Sequence, residues 1–369
     1  MNIEFLQDSN IDNFEFALNK VSQDAKSILI LSCDKNDYDL HKMNLILSAC
    51  DVPIIGGVFP QIIYQNEHYE IGSIIISLDD FLDVNLIENI SDNSEKSLED
   101  TIEEKVGELE DEIKTMFVFV DGLSKNINAL ILGLFENFGL SLNYIGGGAG
   151  SLSFVQKPCI FTNKGLIQDC AILATTKLQS AIGVKHGWLP VSEPMKVTLS
   201  NANIIEEIDY KPAFEVYKNI VENISNKKFN KDNFFEISKA YPLGINKLSG
   251  EMVVRDPIML DDDNNLVCVG DVATNSFISI LEGSDDSLIE AVIDAKQEAL
   301  LNNMDTFTLF IDCISRALFM GDNFSKELDA VYEKNQVLIG ALTLGEIANN
   351  KKYYLEFYNK TAVIAKIQR

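Results

Sequence analysis

Short apolar runs of strand length recur along the chain, each followed by an amphipathic stretch and then by glycine. The first run, Ser27 to Ser32, ends at Cys33; Asp39 to Cys50 then carries apolar residues at helical spacing, and Pro53, Ile54 and Ile55 lead into Gly56 and Gly57. A second copy runs from Met116 to Val120, ends at Asp121 and Gly122, continues through a helical pattern from Asn126 to Phe138, and reaches Ile145 to Gly148. The third runs from Phe307 to Ile311, meets Cys313, crosses a helix near Ser325 to Lys334, and arrives at Ile339, Gly340 and Ala341. From Cys33, Asp121 and Cys313 to Gly56, Gly146 and Gly340 the separations are 23, 25 and 27 residues. Such near-equal spacing predicts βαβ units with right-handed crossovers.

The predicted architecture is α/β: two domains with mixed β-sheets, built from repeated β-α-β units covered by helices. A chain of 369 residues is long enough for two cores. The prolines at 190 and 194 place the boundary, with residues 1–192 on one side and 193–369 on the other, and a helix-rich segment from Asp209 to Asn223 beyond it. Pro60, Gln61 and Ile62 open paired strands after the first repeat, and Gly345, Glu346 and Ile347 do so after the third. The acidic stretch from Ser91 to Lys114 places Leu98, Ile102, Val106, Leu109 and Ile113 at the spacing of a surface helix. Asp261 to Asn265 lacks the glycine and distal glutamate of a calcium loop, and lies between predicted strands as a hairpin tip.

Charge narrows the choice of partners. A formal net charge of -26 repels phosphate backbones and anionic headgroups, so neither nucleic acid nor a membrane surface is expected. Met1 to Ser9 has no basic segment followed by an apolar run, and no window approaches a membrane span, so a cytoplasmic protein is expected. The six cysteines form no CxxC pair and the three histidines no HExxH or HxH pattern, so reduced thiols and no metal are expected.

The densest chemistry lies near the C-terminus. An apolar strand there delivers Asp312, Cys313 and Arg316, and a glycine turn at Gly345 delivers the Glu346 carboxylate. A guanidinium fork binds carboxylates bidentately, and a buried carboxylate prefers an ammonium. Arg316, Glu346 and the Thr343 hydroxyl thus suit the two ends of an amino acid, with Trp188 as a wall; the alternative is that Arg316 and Glu346 pair with each other. Gln61 holds the place of Glu346 in the first repeat, so the C-terminal pocket alone is negative there and favours a cationic or amine-bearing ligand. Cys313 offers a nucleophile or redox sensor, but Cys33 at the matching place favours packing. His186, beside Gly187 and Trp188, is the candidate haem ligand, against the usual reading of a hydrogen-bonded histidine. Gly146 to Gly150 lacks the Lys and Ser/Thr of a phosphate loop, so a tight turn or a close backbone approach is expected. Asp312, Cys313 and Glu346 are the residues a hydrolase or transferase would use, but no nucleophile, base and orienter set is recognisable, and an enzyme is not expected.

Several of these elements recur together. Gly146 to Gly150, then Gly187, Trp188 and Pro190, Asp209 with Pro212 and Ala213, Arg255 and Pro257 in the run from Ser249, Cys313 and Arg316, Gly345 to Ile347, and Asn359 with Thr361 resemble the motif set of the FIST family of bacterial sensory proteins. The resemblance covers most of the chain from about Pro53 onward. It implies a FIST N-terminal-like domain in 1–192 and a FIST C-terminal-like domain in 193–369. It further implies detection of a small ligand, usually suggested to be an amino acid, and signal transduction to a separate protein such as a histidine kinase, a cyclic-nucleotide enzyme or a chemotaxis component. Its motifs fall on Arg316, Glu346, Gly345, Cys313, Trp188 and Arg255, which with Thr343 make up the candidate ligand site, without a cofactor. A haem-binding nitric oxide sensor, as some relatives are described, is the alternative, and His186 would then be the ligand. No output domain is recognisable, so a stand-alone sensor is the expectation.

Overall fold

A computed structural model of the chain describes residues 1–92, 96–230, 232–247, 250–301, 305–349 and 354–369. Ser249 lies outside them, as do positions 93–95 of the acidic stretch. The fold is α/β with mixed sheets, arranged as a body of three similar modules and a smaller closed barrel.

The first module comprises β1 (Ile3–Leu6), α1 (Ile11–Ser22), β2 (Ser27–Cys33), α2 (Leu40–Ser48), β3 (Ile54–Phe59), a hairpin of β4 (Gln61–Tyr64) and β5 (Glu67–Tyr69), and β6 (Ser73–Leu78). The second repeats this order: β7 (Asp83–Glu88), α3 (Leu98–Val106), β8 (Thr115–Asp121), α4 (Ile127–Phe138), β9 (Asn143–Ala149), the hairpin β10 (Ile160–Thr162) and β11 (Gly165–Ile167), and β12 (Cys170–Thr176).

After β13 (Ser180–Lys185) the barrel is inserted: β14 (Leu189–Pro190), β15 (Met195–Asn201), β16 (Ile204–Ile208), β17 (Lys211–Pro212), α5 (Ala213–Ser225), α6 (Phe234–Ser238), β18 (Leu243–Asn246), β19 (Met252–Leu260), β20 (Leu266–Val269) and β21 (Phe277–Glu282). Pairing of β18 with β21 closes this sheet on itself, which removes its open edges. The third module then resumes with α7 (Asp285–Glu298), β22 (Thr306–Cys313), α8 (Ile314–Met320), α9 (Phe324–Val331), β23 (Leu338–Thr343), the hairpin β24 (Glu346–Ala348) and β25 (Glu356–Tyr358), and β26 (Ala362–Gln368).

The three predicted units are real. β2 and β3, β8 and β9, and β22 and β23 are parallel pairs, and the fully buried β2, β8 and β9 read as the near-continuous apolar runs expected of strands covered on both faces. The marker glycines have one physical cause: a Cβ on Gly56, Gly146 or Gly340 would stand 1.8, 1.8 or 2.0 Å from the carbonyl oxygen of Ile30, Val118 or Phe310 on the parallel neighbour. Close backbone approach, rather than a turn, also accounts for Gly147 and Gly148, which sit in β9 beneath the backbone of Leu344 and Gly345.

Each module gives its hairpin to another. β4 of the first pairs with β23 of the third, β10 of the second with β3 of the first, and β24 of the third with β9 of the second. The exchange is cyclic, and β3, β9 and β23 approach one another where the three sheets meet. Sheets therefore draw strands from both ends of the chain.

Some boundaries differ from the expectation. The helix read from Asp209 starts at Ala213, because Asp209 and Tyr210 take positive φ and Lys211–Pro212 pair back onto β16. The surface helix stops at Val106 before Gly107, leaving Leu109 and Ile113 outside it, and the helix near Ser325 is preceded by α8. The hairpin tip holds: Asp261 accepts from the Asp263 and Asn265 N–H groups between β19 and β20. Among the described residues no helix is long and apolar enough to cross a membrane.

Candidate functional site

Asp312 and Cys313 end β22, and in parallel register Cys313 faces Thr343 at the end of β23. Helix α8 begins at once, which brings Arg316 back over Asp312 one turn away: Nε lies 3.0 Å from Asp312 Oδ1. The guanidinium is buried and forks onto Glu327 of α9, with Nη2 at 2.8 Å and Nε at 3.1 Å from Oε1. Nη1 donates to the His186 carbonyl at 2.6 Å and Nη2 to that of Leu288 at 3.3 Å, so Arg316 also ties α7 and the end of β13 to the module. It does not pair with Glu346; its carboxylate partners are Glu327 and Asp312. Burial works against its charge, but Glu327 and Asp312 outweigh it and hold the guanidinium above its ordinary range.

Glu346 opens β24 behind Gly345. That glycine has φ +103°, and a Cβ there would meet the Phe357 ring at 2.2 Å, so the turn that aims Glu346 inward requires glycine. Glu346 Oε1 accepts from the Thr343 hydroxyl at 2.9 Å and Oε2 from the Thr361 N–H at 3.3 Å. Burial pushes its carboxyl up to about 8, against the pull of those bonds, the Cys313 thiol and Arg316. Burial and the Glu346 charge push the Cys313 thiol well up, the reverse of an activated nucleophile. Cys33, its counterpart, is pushed up to about 12 by burial.

A second buried cation completes the cluster. Lys360, in the turn between β25 and β26, places Nζ 3.2 Å from Asp256 Oδ2 of β19, 2.9 Å from the Lys239 carbonyl, and 4.9 Å from the centroid of the Trp188 ring. Trp188 is buried and donates Nε1–H to the Lys360 carbonyl at 3.1 Å. The Ser315 hydroxyl donates to Asp256 at 2.8 Å. Arg255, next to Asp256 on β19, spends its guanidinium on the carbonyls of Asp271, Val254 and Phe357 at 3.0 Å each. Together with Tyr358 to Glu251 at 2.8 Å and Lys247 to Glu356 at 2.6 Å, these contacts latch the barrel onto the third module's last hairpin.

The structure therefore gathers Arg316, Glu346, Thr343, Gly345, Cys313 and Trp188 around one buried cluster, with Arg255 at its barrel side. Among the described residues four buried carboxylates, Asp256, Asp312, Glu327 and Glu346, stand against three buried cations: Lys360, Arg316 and, on the barrel side, Arg255, whose guanidinium goes to backbone carbonyls. Burial, with the charges of Glu327 and Glu346, pushes Asp312 well up, and burial raises Glu327 and Asp256 as well. The buried Asn359 side chain has neither amide atom hydrogen-bonded among the described residues. Lys360, Asp256 and Glu327 escaped the sequence reading. Two signals were there: Lys360 is the lone charge in the run from Phe357 to Ile364, and Glu327 shares the buried face of α9 with Phe324, Leu328 and Val331.

The surroundings of His186 do not fit haem. Its Nδ1 accepts the Trp188 N–H at 3.0 Å, burial pushes the ring down to about 4, and Gly187 is packed against α7 so closely that a Cβ would stand 2.6 Å from the Ser287 carbonyl oxygen. Gln61, which opens β4 as Glu346 opens β24, bonds instead to the exposed His68 at 2.6 Å, beside an open groove of about 370 Å³ against α8 and α9.

Comparison with known proteins gives two matches to family models, the FIST N domain over residues 27–211 and the FIST C domain over residues 213–349. The uncharacterized protein MJ1623 of Methanocaldococcus jannaschii is 21% identical over 196 residues, covering 50% of this chain and 38% of that protein. The chain thus matches well under half the length of this relative.

Proposed function

Because the chain belongs to the FIST family, whose domains are associated with sensing and signal transduction, we propose that it detects a small amine-bearing ligand, such as an amino acid, and passes the bound state to a separate signalling protein. One observation carries the choice of ligand: Glu346 is buried among hydrogen-bond donors, with no ammonium or guanidinium among the described residues paired to it, in a cluster where carboxylates outnumber cations. An incoming ammonium would let Glu346 ionise, and the unsatisfied Asn359 amide offers a second polar contact. Thr343 orients Glu346, and Trp188 walls the cluster. Arg316, its guanidinium committed to Glu327, Asp312 and backbone carbonyls, acts as a positioning residue.

The cluster is closed to solvent, so a ligand enters only when the barrel and the third module part. Differential affinity for the parted state is then the signal, read by a partner such as a histidine kinase, a cyclic-nucleotide enzyme or a chemotaxis component. The buried free thiols suit a reducing cytoplasm. Calorimetric titration with amino acids and simple amines tests the reading: binding that releases a proton and is lost in Glu346→Gln supports it, and binding unchanged in that variant contradicts it.

A further inference from the structure

Lys360 is an unusual occupant of the space it fills. Its ammonium meets a carboxylate oxygen of Asp256, the Lys239 carbonyl oxygen and the face of the chain's single tryptophan, at 3.2, 2.9 and 4.9 Å, with the whole residue buried. An anion, a neutral acceptor and an aromatic face are the complementary set for an alkylammonium. The parts come from three separate places: β19 and the end of α6 in the barrel, and the Trp188 segment that follows β13. Two hydrogen bonds anchor the Lys360 backbone independently of its side chain, since its carbonyl accepts from Trp188 Nε1 and from Arg316 Nη1. The side chain can therefore leave while the turn stays.

We propose that Asp256, the Lys239 carbonyl and Trp188 form an ammonium cage that Lys360 fills as a tethered stand-in, so that an amine ligand enters by displacing it and thereby unlatches the barrel. This rests on the amine-sensor reading above and adds its regulation: the cage is the point of entry, and Glu346, bonded to the N–H of the next residue, Thr361, is the seat beyond it. Lys360 bridges the barrel to the module through Asp256 and Lys239, so expulsion of its ammonium removes two of the contacts across that seam. The intramolecular competitor sets the threshold: only an amine with further contacts, or at high concentration, outcompetes a cation tethered beside its site. Neighbouring Ser315 holds Asp256 in place when the cage is vacated.

Chemical rescue tests the cage. Lys360→Ala removes four side-chain atoms beyond Cβ, the equivalent of propylammonium, and Lys360→Gly, which also relieves the φ of +51° at this turn, matches butylammonium. Trp188 emission and thermal melting are followed as each variant is titrated with its amine chloride, against sodium chloride and the corresponding alcohol. The cage predicts a saturable return of emission towards wild type and a rise of several degrees in Tm for the amine alone, abolished when Asp256→Asn is added. Wild type should need at least tenfold more amine for any response. A folded variant that ignores its amine, or responds equally with Asp256→Asn, overturns the proposal. Should neither variant fold, refolding from urea in amine chloride but not in sodium chloride supports the cage, and failure in both counts against it. Rescue that fails while an amino acid still stabilises wild type removes the stand-in and leaves the sensor reading standing.

Discussion

Glu346 should make this protein less stable as pH rises through neutrality. In the unfolded chain its carboxyl titrates near 4.5, whereas burial pushes it up to about 8 in the fold. Between those values the folded state holds a proton that the unfolded state has released, so stability falls with rising pH until the folded carboxyl also ionises. At about 1.36 kcal/mol per pH unit, an interval from 4.5 to about 8 is worth roughly 5 kcal/mol. Glu346→Gln removes this dependence. At pH 5 the amide costs about 1 kcal/mol, because it carries two N–H hydrogens where the protonated carboxyl carries one, and of its two neighbours only the Thr343 hydroxyl oxygen can accept, the Thr361 N–H being a donor. By pH 9 the order reverses, and the variant is the more stable protein by a few kcal/mol. Urea unfolding of both proteins at pH 5, 7 and 9, at fixed ionic strength, reads the difference. Parallel stability profiles would refute the reasoning, since the subtraction cancels every titrating group that does not sense the Glu346 charge and leaves Glu346 with its neighbours Asp312 and Cys313.

Three further outcomes follow from the same geometry. Arg316→Ala strands the buried Glu327 and Asp312 carboxylates and should cost about 3–5 kcal/mol in denaturant unfolding, with Glu327→Gln in the same chain recovering part of the loss. Gly345→Ala drives a Cβ into the Phe357 ring at φ +103° and should cost more than 2 kcal/mol, whereas Gly107→Ala, at φ +68° with open space around it, should cost about 1 kcal/mol, as thermal melts will show. In thiol titration of the native protein Cys50, the half-buried cysteine, should react first, and the five buried ones, Cys313 included, only on unfolding.

The repeats were legible because their markers answer to local physics. A glycine is demanded wherever a strand presses on its neighbour's carbonyl, and Gly56, Gly146 and Gly340 record three such contacts. The cyclic exchange of hairpins left no comparable trace, because a pairing such as Ile62 with Ala341 joins residues far apart in sequence whose apolar character suits any sheet. The site divided in the same way. Cys313, Arg316, Thr343 and Glu346 cluster near strand ends and a glycine turn, where side chains from successive elements converge. Their partners Glu327, Asp256 and Lys360 come from a helix, a barrel strand and a turn whose meeting only the tertiary fold determines. Neither the clamp on a ligand carboxylate nor the alternative pairing with Glu346 describes Arg316 in the fold, since α8 turns its guanidinium onto Glu327 of α9.

Thermal melting of the purified wild-type protein against amino acids, simple amines, nucleotides and haemin tests the central claim most directly, because a ligand that binds only the folded state raises Tm. An amine-bearing compound should raise Tm, more strongly at pH 8.5 than at pH 6.5 and not in Glu346→Gln. A panel in which no amine shifts Tm, or in which haemin alone does, would contradict the account.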